Sequence, residues 1–189
     1  MDKIKIRMAV PEDAEMLLNI YAPFVTDTAI SFEYEVPTVE EFRRRIISKL
    51  EKFPYLVALY DEKPVGYAYA SPFIPRPAYD WSVEVTVYIR EEYTGFGIGR
   101  KLYETLEALL VEQNIYNVNA CICCVDREDP YVTNRSRDFH EHMGYRFVGK
   151  FTNSGYKFGR WYDMIWMEKL LRPHPEHPEP VRYRKNNEG

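Results

Sequence analysis

The densest run of chemically useful residues lies between Val83 and Leu106, VEVTVYIREEYTGFGIGRKLYETL. Glu84, Thr86 and Tyr88 alternate with Val83, Val85, Val87 and Ile89, so a strand here carries one functional and one apolar face. A carboxylate at Glu84 can take a proton from an ammonium group and so turn an alkylamine into a nucleophile, provided it lies within about 3 Å or one water away. The same residue equally fits an ordinary solvent-facing strand glutamate. Behind it come Gly95-Phe96-Gly97-Ile98-Gly99 and then Arg100. Glycines lack a Cβ and accept positive φ, so the chain can turn sharply and lie close to a ligand. The free N–H groups and macrodipole of a helix start attract anions. Strand, Gly-x-Gly-x-Gly turn and helix thus suit a pyrophosphate, with Arg100 at hand as a cation; a plain tight turn is the alternative. No acidic residue about 20 positions later fits a Rossmann ribose contact, and no Gly-Lys-Ser/Thr ending fits a P-loop.

The helix after the turn follows from Ile98, Leu102, Leu106, Leu109 and Leu110 at helical spacing. Upstream, residues 3–9 alternate as a strand. Pro11 opens a helix whose apolar face is Ala14, Leu17, Leu18, Tyr21, Phe24 and Val25. A loop over 26–37 carries Phe32 and Tyr34. Thr38 and Glu41 form a capping box for a second helix, with Phe42, Ile46 and Leu50 inward. Residues 55–60 and 64–70 read as a hairpin around Asp61-Glu62-Lys63, and Pro72, Pro75 and Pro77 stiffen the loop entering the central strand. Residues 117–125 form the next strand. A short helix runs from Thr133 or Asn134 to Gly144, a natural left-handed cap, and 145–151 with 157–168 make a final hairpin. The order β-α-α-β-β-β-α-β-α-β-β predicts an α/β layer with a mixed sheet. Residues 171–189 hold Pro173, Pro175, Pro178 and Pro180 with many charges and no periodicity, and read as a flexible tail after a domain over 1–170.

The chain of 189 residues suffices for one domain with a sizeable core, and 46% hydrophobic with 29% charged residues is ordinary for a soluble globular protein. A net charge of −4 offers no electrostatic footprint for nucleic acid. No apolar run has the length of a membrane span, and no signal peptide is evident. Cys121, Cys123 and Cys124 lack the second half of a zinc site; they read as buried reduced thiols in a cytoplasmic protein, and no metal is expected.

The glycine turn resembles the acetyl-CoA signature of the GNAT N-acetyltransferase superfamily, Gln/Arg-x-x-Gly-x-Gly/Ala, with Gly97 and Gly99 in register and Thr94 where Gln or Arg is usual. The resemblance narrows to phosphinothricin N-acetyltransferases through Ser31-Phe32-Glu33, Tyr55-Leu56-Val57-Ala58, Val65-Gly66-Tyr67-Ala68-Tyr69-Ala70, Ala78-Tyr79-Asp80-Trp81 and Glu84-Val85-Thr86-Val87-Tyr88. It continues in Phe139-His140-Glu141 with Gly144-Tyr145, and in Gly155-Tyr156-Lys157 with Trp161.

This resemblance implies a GNAT-like, mostly antiparallel mixed central sheet flanked by helices, with splayed central strands between which acyl-CoA enters. It implies acetyl-CoA as co-substrate. The backbone of Val87, Tyr88 and Ile89 would pair with the pantetheine, and Gly95, Phe96, Gly97, Ile98, Gly99 and Arg100 would hold the phosphates, with Asn134 as a further contact. It implies Glu84 as the base. It puts His140 where many GNAT enzymes carry a tyrosine that protonates the departing thiolate, as an acid, a base or a structural ring with a pKa near about 6.5. Phe32, Arg76, Tyr79, Thr86 and Lys157 match acceptor-recognising positions, an Arg or Lys suiting a carboxylate or phosphinate. Tyr162 and Ile74 stand where those enzymes commonly have a His and a Lys. The implied reaction is direct attack in a ternary complex by the amino group of a phosphinothricin-type or methionine sulfoximine/sulfone-type acceptor. Acetylation of another amine (a polyamine or a protein N-terminus) and a non-catalytic acyl-CoA sensor are the alternatives. A homodimer through the aromatic C-terminal hairpin follows by analogy.

Overall fold

A computed structural model of the chain describes residues 3–183. Its elements are β1 (Ile4–Met8), α1 (Ala14–Thr26), α2 (Val39–Leu50), β2 (Tyr55–Tyr60), β3 (Lys63–Pro72), β4 (Ser82–Ile89), α3 (Ile98–Glu112), β5 (Asn117–Cys124), α4 (Arg135–His142), β6 (Arg146–Lys157) and β7 (Arg160–Leu170). This is the order the periodicities predict. The sheet order is β1-β2-β3-β4-β5-β7-β6. The β1–β2, β2–β3, β3–β4 and β6–β7 ladders are antiparallel. The chain divides into two compact units, one made of the residues up to Ile20, Pro37–Val118 and those from Leu170 on, the other of Tyr21–Val36 and Asn119–Lys169.

In the first unit the β2–β3 hairpin turns on Asp61 and Glu62, at φ 47° and 64°. Two left-handed residues make the turn type whose twist matches that of its strands. The β3–β4 register sets Tyr67 opposite Tyr88, Tyr69 opposite Thr86 and Ser71 opposite Glu84. These six side chains therefore share one face, and Ala68, Ala70, Val83 and Val85 share the other. Helix α2 covers the first face: Phe42 meets Tyr67 edge-on at 6.3 Å, and Lys49 Nζ stands 5.2 Å above the Tyr69 ring. Thr38 Oγ1 accepts the Glu41 N–H at 3.1 Å, one half of the expected box, while the Glu41 carboxylate pairs with Arg45. Helix α3 buries Ile98, Leu102, Leu106 and Leu110.

Residues 171–183 have no helix or strand, as expected of a tail, yet they are held. Arg182 N–H donates to the Gln113 carbonyl at 2.9 Å, and Gln113 Nε2 donates to the Arg182 carbonyl at 3.0 Å. Trp81 Nε1 donates to the Glu179 carbonyl at 2.8 Å, and Tyr183 meets Phe53 edge-on at 5.8 Å. Prolines end the ladders here, and the chain that follows still lies against the first unit. Residues 184–189 lie outside the described residues.

The second unit packs Ala29, Cys123, Val132 and Tyr162 into a core. Its hairpin differs from the expected one, because β6 continues through 152–156. Asn153 takes φ 50° and donates its N–H to Asp163 Oδ1 at 2.8 Å, and the register shifts between Phe151 and Gly155. That is a bulge, and the turn falls instead at Phe158 and Gly159, at φ 50° and 74°. Cys121 is exposed, which corrects the reading of three buried thiols; Cys123 and Cys124 are buried and none of the three forms a disulfide. Burial pushes the Cys123 thiol up to about 12.

Candidate active site

Glu84 is half-buried on β4, and its carboxylate makes no hydrogen bond or ion pair among the described residues. Loss of water raises its pKa above the ordinary carboxyl value, and the charge of Lys49 partly offsets this. Thr86 and Tyr88 continue the same face toward the glycine turn. After β4, a 3-10 turn over Glu91–Tyr93 takes the Thr94 hydroxyl, which donates to the Glu91 carbonyl at 2.8 Å. Thr94 is thereby folded onto its own turn. Gly95 and Gly97 sit at φ 83° and 80°, and a Cβ added at either would meet nothing within 4 Å. The demand there is conformational, and the space beside it is open.

Lys101 N–H is the first to close onto the Gly97 carbonyl, at 3.1 Å, so the amides of Ile98, Gly99 and Arg100 precede the helical ladder. Arg100 is exposed, 3.8 Å from Glu104, and Phe96 stands half out of the surface against Tyr60. Open space, unladdered amides and a cation fit a pyrophosphate. Arg76 and Tyr79 are exposed around the 3-10 turn that precedes β4, with Tyr79 edge-on to Phe73 at 6.1 Å.

In the second unit two expectations change. Lys157 is 3% exposed, and its ammonium donates to the carbonyls of Val25 (2.7 Å), Thr28 (2.9 Å) and Ser31 (2.6 Å). An ammonium has three donors, so none is left for an acceptor carboxylate. Asn134 Nδ2 donates to the Val125 carbonyl at 2.9 Å and its Oδ1 accepts the Val125 N–H at 3.3 Å, so each end of the amide ties the start of α4 to the end of β5. His140 is 3% exposed, and burial lowers its pKa to about 4. Its Nδ1 lies 2.7 Å from the Ser136 carbonyl, which can only accept, so Nδ1 carries the proton. Tyr145 stands edge-on to the ring at 5.1 Å. A neutral, enclosed imidazole replaces the expected ring titrating near neutrality. Phe32 lies across Gly155, where a Cβ would come within 2.5 Å of its ring, and 6.3 Å from Tyr162.

Lys49 is a functional candidate that its charge conceals in the sequence, although its spacing from Phe42 and Ile46 puts it on the inner stripe of α2. Among the described residues no cluster of His, Cys, Asp or Glu is arranged to hold a metal ion.

Residues 6–166 match the model of the acetyltransferase (GNAT) domain. The chain is 34% identical over 173 residues to a phosphinothricin N-acetyltransferase of Streptomyces coelicolor, covering 89% of this chain and 97% of that one. It is 26% identical over 170 residues to an L-methionine sulfoximine/L-methionine sulfone acetyltransferase of Salmonella typhimurium, covering 89% and 95%. A solved GNAT-superfamily phosphinothricin acetyltransferase from Sinorhizobium meliloti, in complex with AcCoA, superposes with a TM-score of 0.83 at 27% identity, over 97% of this chain and 100% of that one. With a domain match over most of its length, relatives of that identity and the same fold, the chain belongs to the GNAT acetyltransferase family.

Proposed function

We propose that this protein is an acetyl-CoA-dependent N-acetyltransferase acting on the amino group of a small amino-acid-like acceptor, of the phosphinothricin or methionine sulfoximine/sulfone type. The observation that carries the reading is the half-buried, unpaired carboxylate of Glu84 on the strand that leads into the open Gly95–Arg100 turn. The activities of those two relatives support the acceptor class. The amides of Ile98, Gly99 and Arg100 would hold the phosphates, and the backbone of Val87 to Ile89 would take the pantetheine as an added strand. When bound, acetyl-CoA supplies the acetyl group as a thioester. Glu84 accepts the proton of the acceptor's ammonium, and its raised pKa makes it a stronger base than a free glutamate. Thr86, Arg76 and Tyr79 remain the residues assigned to the acceptor; His140 is assigned to structure.

A homodimer through the β6–β7 hairpin belongs to the same reading, since Phe147, Phe151 and Trp161 are 58%, 56% and 61% exposed there. So does a cytoplasmic setting: no described helix is long and apolar enough to cross a membrane. A net charge of −4 argues against a nucleic-acid partner.

A thiol-release assay with acetyl-CoA and a panel of amino acids, polyamines and peptide N-termini tests the function. Release with phosphinothricin or methionine sulfone is expected. Release with polyamines or peptides alone would overturn the acceptor class. Calorimetric binding of acetyl-CoA without release on any amine would leave a sensor in place of an enzyme.

A further inference from the structure

Lys49 occupies the last turn of α2, on the side that covers Tyr67 and Tyr69. Other lysines are visibly committed. Lys157 is spent on three carbonyls, Lys150 is ion-paired with Asp126 and Asp163, and Lys101 donates to the Ile4 carbonyl at 2.8 Å. The Lys49 ammonium makes no hydrogen bond or ion pair among the described residues; its one described side-chain contact is the Tyr69 ring, 5.2 Å away. Directly across the ladder from Tyr69 is Thr86, and Glu84 is the next residue along that face. The two charges are close enough that each favours the other's ionised form, while burial disfavours both. Arg45, which is ion-paired with Glu41, also acts on Lys49, and Tyr103 is close enough to feel Glu84 and Tyr69, with Glu107 on its own helix.

A half-buried ammonium and a half-buried carboxylate, each without an ion pair among the described residues, border the same polar stripe. An amino-acid headgroup is their complement, with its own ammonium for Glu84 and its carboxylate for Lys49. A simple amine would meet Glu84 alone and leave the Lys49 ammonium without an anion, so it would forgo the charge-assisted contact that a carboxylate makes. We infer that Lys49 anchors the acceptor's carboxylate, so that Glu84 and Lys49 together select a zwitterionic α-amino-acid headgroup over a simple amine. This rests on the acetyltransferase reading and names the specificity residue of that site.

The test compares Lys49→Met and Lys49→Arg with the wild type, using methionine sulfone and its carboxamide as acceptors. Lys49→Met is expected to lower kcat/KM for the acid by about 10–100-fold, through KM, and to leave the carboxamide within about 2-fold. Lys49→Arg should retain most of the preference for the acid. An unchanged KM for acetyl-CoA attests the fold of each variant. An equal fall with both acceptors, or no fall, overturns the inference while leaving the enzyme reading standing. So does a change confined to the pH dependence of kcat with both acceptors, since Lys49 would then act only through Glu84. A wild type that binds acetyl-CoA and acetylates neither acceptor refutes the underlying reading, and the inference with it.

Discussion

Replacing His140 with glutamine separates a structural imidazole from a catalytic one. In the unfolded chain the ring titrates near 6.5; in the folded protein its pKa drops to about 4. As the pH falls below 6.5 the unfolded chain takes up a proton that the folded one refuses. The contribution of a neutral His140 is therefore fully present above 6.5 and is lost as the pH falls through 4. At roughly 1.4 kcal/mol per pH unit, the drop from 6.5 to about 4 amounts to about 3 kcal/mol. Glu84 acts in the opposite sense: its raised pKa favours the folded state at low pH, a contribution lost as the pH rises through the folded value. Asp13, Asp129 and Asp163, with lowered pKa values, lose their contributions as the pH falls through those values. All four groups remain in the variant, so the difference between the two proteins isolates the ring. Urea unfolding from about pH 7.5 down to about pH 4 is the assay. At the upper end the variant should be less stable by about 1–2 kcal/mol, for its altered bond to Ser136, and by the lower end that deficit should vanish or reverse. Turnover at about pH 7.5 should stay within about 3-fold of wild type. Parallel stability curves, or a fall in kcat beyond about 100-fold in a folded variant, would refute the reasoning.

Glu84→Gln should lower kcat by about 10²–10⁴-fold with little change in the KM for acetyl-CoA, and unchanged turnover would remove Glu84 from the mechanism. Because burial raises the Glu84 pKa, the rising limb of kcat against pH should lie above that of an ordinary glutamate and be missing from the glutamine variant. Lys157→Met leaves the Val25, Thr28 and Ser31 carbonyls without their donor, for a loss of about 3 kcal/mol or more in urea unfolding; an unchanged midpoint would mean that water replaces the ammonium. Ending the chain after Leu170 removes the contacts to Gln113, Trp81 and Phe53 and should lower the melting temperature by roughly 5–10 °C. A melting temperature equal to that of the full chain would show that the segment only rests on the surface.

What the sequence discloses is what carries its own period. The alternation in β4 and the stripe Ile98, Leu102, Leu106 and Leu110 in α3 are local facts, and the glycine turn lies between them. The final hairpin is misread because Asn153-Ser154-Gly155 is a strong turn signal that only Asp163, on the facing strand, converts into a bulge. His140 belongs to RSRDFHEH, too polar for a stripe to reveal which residue turns inward. The partners of Lys157 are backbone carbonyls, which no pattern of side chains announces. Lys49 has the spacing of an inward residue but the chemistry of a solvated one. The segment after Leu170 is anchored by Gln113 and Trp81, through contacts that only the fold creates.

The cage around Lys157 also bears on how the chain is made. Its carbonyls come from residues 25 to 31, and the ammonium that fills it follows 126 to 132 positions later. A ribosome releases the empty cage long before its occupant, and closing so long a segment carries a large entropic penalty before any bond repays it. The stretch from Val25 to Ser31 therefore acquires its final shape late, when the sixth strand arrives. A nascent chain stalled short of Lys157 should leave that stretch open to protease while α3 is already protected.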